Sequence, residues 1–218
     1  MYRVFLLVLV SLGMLLCTSQ GAIAQTYRTR LIPQAHKIYK HMLSQAKDGK
    51  GKAIRRSLQF LRQLLGKMTK RFRLDMKRKI LSALKQKNYV KVHSLLIQLI
   101  AMDMRDILYH MRKSKDKPKL KGMFRMLHAD YKLLYLYHFK RNSRNKQHQL
   151  LMRQIRRIYR QLFSRNPYDE DDSFNVRGLG RRLKRMDRGL SKVFLLPTKM
   201  ATFVVPALED DDGTCSRG

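Results

Sequence analysis

Glutamate is missing from residues 25–168, where only six aspartates stand against 38 lysines and arginines. Ordinary exposed helix faces mix the two signs, so this imbalance argues against a plain solvated surface. Cysteine is nearly absent: Cys17 and Cys215 are the only two among 218 residues. Cys17 falls inside the leader described below, so one thiol remains, and one thiol excludes an internal disulfide. Cys215 is left to pair between chains or to stay free. With only five prolines and no stretch of apolar–polar alternation, the body reads as helix almost throughout. No long apolar run follows the first, Val4–Leu16, so the rest of the chain is not expected to span a membrane.

Catalytic and metal-binding patterns are scarce too. There is no G-x-S-x-G elbow, no H-E-x-x-H, no paired cysteines and no Gly-rich phosphate loop after a strand. Carboxylate acid–base work needs two acids in different environments. Asp103 and Asp106 share a helix face at i,i+3, but among so many cations they read as ion-pair partners. His36 and His41 are five apart and His128 and His138 ten apart, poor spacings for a shared ligand face. The expectation is no enzyme, no cofactor and no metal.

What is present begins with an export pattern. Arg3, the apolar run Val4–Leu16 and the small-residue site Ala22-Ile23-Ala24 before Gln25 form the three regions of a cleaved secretory signal. Residues 1–24 are therefore expected to be removed. The remaining chain divides by charge, with a net +32 over residues 25–168 and zero over 169–218. Export removes such a polycation from nucleic acid, so its target is expected to be an anionic surface or glycoprotein outside the cell.

Periodicity predicts an all-α fold, a single bundle of about five helices over 25–168, with a basic, partly disordered extension over 169–218. The first helix is expected from Pro33 to about Lys47, closed by Asp48-Gly49-Lys50-Gly51. One long helix is expected from Lys52 to about Lys87, striped by Ile54, Leu58, Leu61, Leu65, Met68 and Phe72. Asn88–Arg112 follows, with Ile97, Ile100, Met104, Ile107 and Met111 inward. Leu120–Lys140 carries Leu120, Phe124, Leu127, Tyr131, Leu134 and His138 in strict alternation of four and three. Asn142–Asn145 is a polar turn, and Lys146–Ser164 buries Leu151, Ile155, Ile158 and Leu162. Asn166-Pro167 ends the body, and Asp169–Asp172 reads as an acidic linker. Val176–Val193 is a basic amphipathic segment with Leu179, Leu183, Met186 and Leu190, and the tail from Pro197 is expected to be disordered.

The candidate binding residues are cations. Arg55, Arg56, Arg62, Lys67, Lys70, Arg71, Arg73, Lys77, Arg78 and Lys79 crowd the polar side of the second helix. Arg153, Arg156, Arg157 and Arg160 do the same on the last body helix. A guanidinium fork suits carboxylate, sulfate or phosphate, and a row of them would follow an anionic polymer in a salt-sensitive way. Tyr131, Tyr135, Tyr137 and Phe139 cluster with Met123 and Met126 on one helix. They form either a wide core stripe or an apolar patch for a partner, a second copy or lipid.

At these residues the chain resembles the sperm lysin family of marine gastropods and its fusagenic acrosomal paralogue. Lys87-Asn88-Tyr89-Val90-Lys91-Val92-His93 is similar to the lysin segment Arg-Arg-Tyr-Met-Gln-Thr-His. Tyr135-Leu136-Tyr137-His138-Phe139-Lys140 is similar to its Tyr-Phe-Tyr-Asp-Phe-Leu-Lys, with one residue fewer. The similarity covers about residues 33–165. The chain departs from lysins in having no tryptophan and in carrying a further segment from about Asn166. The resemblance implies storage in the sperm acrosomal vesicle and secretion at the egg during fertilization. It implies binding to egg vitelline envelope glycoproteins, whose fibres are loosened without bond cleavage. Its paralogue implies an alternative, membrane fusion between sperm and egg. A secreted antimicrobial polycation is a further alternative from the charge alone, as is a homodimer through the apolar face.

Overall fold

A helix buries one stripe of side chains and leaves the other face to solvent, and every predicted stripe of this chain is turned inward at nearly all its positions. The computed structural model describes residues 35–140, 145–163 and 176–197. The expected leader, the helix start at Pro33, most of the polar turn (142–144), Asn166-Pro167, Asp169–Asp172 and the tail with Cys215 lie outside the described residues. Apart from Ala35, the described residues belong to one unit, His36–Thr202.

Among the described residues eight α-helices stand where about five were expected: α1 (35–47), α2 (Gly51–Phe60), α3 (Arg62–Phe72), α4 (Met76–Lys85), α5 (Tyr89–Lys113), α6 (Lys117–Leu134), α7 (Lys146–Phe163) and α8 (Val176–Val193). No strand occurs among them. Most of the excess comes from the long second helix. Its stripe from Ile54 to Phe72 is buried throughout, but the backbone carrying it breaks twice. Leu61 separates α2 from α3 in a turn at φ −92°, ψ 8°. Arg73 ends α3 with a left-handed φ of 51°, and Asp75 then caps α4 by accepting from the Arg78 amide at 2.9 Å. Neither the one-residue break at Leu61 nor the three-residue break at 73–75 interrupts the apolar period, since buried Met76 follows Phe72 by four, so the spacing alone reads three helices as one.

The other boundaries follow from capping. Gly49 takes φ +68° in the α1–α2 turn, a conformation that costs a side-chain-bearing residue about 1 kcal/mol. Asn88 accepts from the Lys91 amide at 2.9 Å and opens α5, and Asp116 accepts from Lys119 at 3.3 Å to open α6. Two of the six aspartates of residues 25–168, Asp75 and Asp116, are thus spent on helix ends, together with Asn88.

α5 is the central element. It packs on α4, α6 and α8, and Val92 through Met111 include its longest buried run. The eighth helix corrects a second expectation. Leu179, Leu183, Met186 and Leu190 are buried, and α8 lies against α7 and α5. Residues 176–193 are a structural layer of the bundle rather than an extension. The fit is close: a Cβ added at Gly189 would stand 3.0 Å from Leu151 Cδ2, so a larger residue there would need that methyl to give way.

The end of the α6 stripe shifts. Residues Tyr135–Phe139 form a π-helical turn, which accommodates one residue more than an α-turn. The expected inward residue, His138, is therefore exposed, and Phe139 takes the core position at 1% exposure.

Candidate functional site

The basic faces are best understood from the acids that fail to neutralise them. Seven carboxylates fall among the described residues, and each is engaged within the fold. Asp103 and Asp130 are buried. Asp75 and Asp116 cap helices. Asp106 pairs with Arg71 and lies 3.5 Å from His110, Asp187 pairs with Arg105, and Asp48 sits 3.8 Å from Lys50 in a turn.

Against this, Arg55, Arg56, Arg62, Lys67, Lys70, Arg73, Arg78 and Lys79 are exposed and Lys77 is half-exposed. They lie on α2, α3 and α4, three helices in mutual contact, so they form one basic surface. Arg153, Arg156 and Arg160 are exposed on α7, with Arg157 half-buried beside them. α7 packs on α6 and α8, which makes this a second basic surface.

Arg71 does not belong to either face. It is 8% exposed, donates to Asp106 and lies over the Tyr109 ring at 4.3 Å. It joins α3 to α5 as a structural contact. Its apolar neighbours Met68 and Phe72 continue the stripe, and 71 lies close enough to that stripe to be drawn under its edge. The sequence reading also left out a set of site cations. Arg177, Arg181, Lys184, Arg185, Arg188 and Lys192 are exposed on α8 and extend the α7 surface, to which Arg182 is tied by donation to the Arg157 carbonyl at 3.0 Å. The signal was present in the amphipathic pattern of Val176–Val193; reading that segment as an appendage hid it.

The aromatic cluster separates into core and surface. Tyr131 and Phe139 are buried. The Tyr131 hydroxyl lies 2.6 Å from His148 Nδ1 and 3.4 Å from the His148 carbonyl, to which it donates, and burial holds the His148 imidazole below its usual range. Tyr135 stacks on the same imidazole at 5.1 Å between centroids. Tyr137, half-buried like Tyr135, lines a groove of about 700 Å³ formed by α1, α5, the π-turn and the end of α8. Lys47 Nζ sits 5.1 Å from its ring centre.

Two buried networks were not foreseen. Asp103 accepts from the Tyr39 hydroxyl at 2.9 Å rather than pairing with a cation, and Asp130 meets His36 Nδ1 at 3.2 Å. Burial raises both carboxyls above the usual range, Asp103 strongly, helped by the nearby Asp130 charge, while the Tyr39 hydroxyl pulls it back. Burial also pushes the Tyr39 phenol well up. Together they fasten α1 to α5 and α6. Arg105, wholly buried, donates from Nε to Asp187 at 2.6 Å and from its guanidinium to the Pro197 carbonyl at 2.6 Å. That pair fastens α8 to α5. Such partners come from elements far apart in the chain, and no local spacing announces them.

Among the described residues no group of three or more histidines, cysteines or carboxylates is placed to hold a metal ion. No helix among them is long and apolar enough to cross a membrane. Comparison with protein-family models, with curated proteins and with solved structures finds no match to this chain.

Proposed function

We propose that this protein is a non-enzymatic protein of the sperm acrosome, secreted at the egg, that binds vitelline envelope glycoproteins and loosens the envelope. The observation that carries the reading is the internal use of every described carboxylate, which leaves two basic surfaces without a compensating acid among the described residues. Arginine rows of that kind engage sulfate and carboxylate groups through paired N–H donors. Competition by many weak charged contacts would displace noncovalent links between fibres stoichiometrically. The resemblance of residues 87–93 and 135–140 to sperm lysins supplies the biological setting.

The test uses isolated vitelline envelopes. Increasing protein should dissolve them in proportion to dose, with no new peptide ends and no released sugar fragments. Catalytic amounts sufficing, or cleavage products appearing, would overturn the reading. The membrane alternative draws on exposed Val90 and Leu195. Leakage from anionic liposomes without any action on envelopes would favour it.

A further inference from the structure

The second basic surface carries an order that its composition does not require. On α7, Arg153, Arg157 and Arg160 stand at steps of four and three, and on α8 Arg181, Arg185 and Arg188 do the same. Such steps keep side chains on one face of a helix, so each set is a row whose members follow about 5–6 Å apart along the axis. Two contacts fix how the rows lie. Gly189 meets Leu151, where an added Cβ would stand 3.0 Å from Leu151 Cδ2, and Arg182 donates to the Arg157 carbonyl at 3.0 Å. As α7 runs forward from 151 to 157, α8 runs back from 189 to 182, so the two helices are antiparallel. That register sets Arg153 level with Arg188, Arg157 with Arg185 and Arg160 with Arg181. Arg157 is half-buried and the other five are exposed.

Within the isolated fold this ladder is unfavourable. Like charges three and four apart on a helix repel, and Asp187, the one acid of α8, is buried and taken by Arg105. Arginine fills all six places. A guanidinium donates through a planar fork and accepts nothing, so the matching ligand presents acceptor-only oxyanions, repeated about once per helical turn on both sides of its axis. A linear sulfated glycan has that form, because sulfates project from both edges of its chain. A polypeptide strand does not: it brings an N–H with every carbonyl and would set donors against donors. A polynucleotide needs rings on which its bases stack, and the aromatic residues of α7, Tyr159 and Phe163, lie instead against Phe124 of α6. A bilayer takes up the apolar face of an amphipathic helix, and on α7 and α8 that face, with Leu151, Ile155, Leu183 and Leu190, is buried in the bundle.

We propose that the arginine ladder of α7 and α8 binds a linear sulfated glycan, its chain lying along the helices and its sulfates reaching both rows. The inference deepens the egg-coat reading and rests on it for the source of the polymer, the sugar part of the envelope glycoproteins. It assigns the contact to one of the two basic surfaces, and to sulfate rather than to protein.

Heparin serves as the probe, because it can be compared with its own chemically desulfated form. Affinities of this kind vary with salt, so calorimetric titrations are run at one ionic strength. The full chain should bind heparin at least about tenfold more tightly than the desulfated polymer; equal binding would overturn the proposal. Replacing all six ladder residues by lysine (R153K, R157K, R160K, R181K, R185K and R188K) keeps the net charge and removes the forks, and should weaken heparin binding at least about tenfold. Unaltered affinity would show net charge alone at work and overturn the proposal. If that protein melts below the parent, R153K/R160K/R181K/R188K, which spares half-buried Arg157, becomes the reporting variant with the same two outcomes. Polyglutamate, single-stranded polyadenylate and phosphatidylserine vesicles, matched in charge, should displace heparin poorly. Displacement by any of them as effective as that by free heparin would assign the surface to that class and overturn the proposal. Envelope dissolution is a separate readout. Dissolution retained with heparin binding unaltered in the lysine variants removes the ladder and leaves the egg-coat reading; heparin binding without dissolution does the reverse.

Discussion

At the scale of single residues, the buried charges decide more than the exposed ones. Arg105 is 0% exposed and its partner Asp187 is nearly so, and Arg112 lies 3.9 Å from the same carboxylate. Truncating one member of a buried pair strands the other without water. Arg105→Ala should therefore cost about 3–5 kcal/mol in denaturant unfolding, whereas Arg105→Met with Asp187→Leu should recover most of that loss. A double variant as unstable as the single would mean that the Pro197 carbonyl, rather than the ion pair, is the contact that matters. Asp103 invites a pH experiment. In the unfolded chain it ionises near 3.8, and burial raises it well above that in the fold. Between the two values the native state keeps a proton that the unfolded state has lost. Its contribution is thus full below the ordinary carboxylate range and is lost as pH rises through the raised value. The neutral His148 works in the opposite sense, losing stability as pH falls below its unfolded value of 6.5. Asp103→Asn keeps an acceptor for the Tyr39 hydroxyl while removing the titration. It should flatten the decline of stability as pH rises out of the ordinary carboxylate range and raise stability at neutral pH. An unchanged pH profile by calorimetry would refute the assignment.

At the scale of elements, periodicity was a sound guide to which side chains face inward and a weak one to where the backbone stops. Ile54 through Phe72, Ile97 through Met111 and Leu151 through Leu162 are buried where the spacing put them. The break at Leu61 and the left-handed Arg73 left no gap in the apolar stripe, so three helices read as one. The π-turn is a subtler case, because a single added residue turns His138 outward and Phe139 inward without altering composition. α8 was legible as a helix but not as a member of the bundle. Its apolar stripe alone cannot say whether it meets a partner or the body of its own chain. Leu183 separates the two situations. It is wholly buried between α8 and its neighbours, so Leu183→Ala should cost about 2–5 kcal/mol of global stability. Arg188→Ala, on the exposed face, should stay within about 0.5 kcal/mol. An appended helix would show no loss for Leu183→Ala in the main unfolding transition.

For the whole molecule, the question is how a body with such an excess of one sign holds together. Self-repulsion opposes compaction, and the described acids are spent inside the fold, at helix starts, in buried contacts with Tyr39 and His36, and in the Arg71 and Arg105 pairs. None of the seven described acids is left to quieten the outer faces. The composition made the imbalance legible, whereas the partition did not follow from it: Arg71 turned inward and the α8 cations joined the α7 surface only because of tertiary packing. This partition makes the two surfaces separable by experiment. Binding to an anionic polymer releases counterions in number with the cations engaged, so the logarithm of affinity falls linearly with the logarithm of salt. Replacing Arg153, Arg156 and Arg160 by alanine removes three exposed charges and no core contact. With a sulfated polysaccharide as ligand, the magnitude of the slope should drop by about two to three units, and the unfolding temperature should hold. Arg71→Ala, by contrast, should lower stability and leave the slope nearly unchanged, because its charge already belongs to Asp106. If the two variants behaved alike, the division between structural and binding arginines would be wrong, and the basic surfaces would be acting only through the net charge of the molecule.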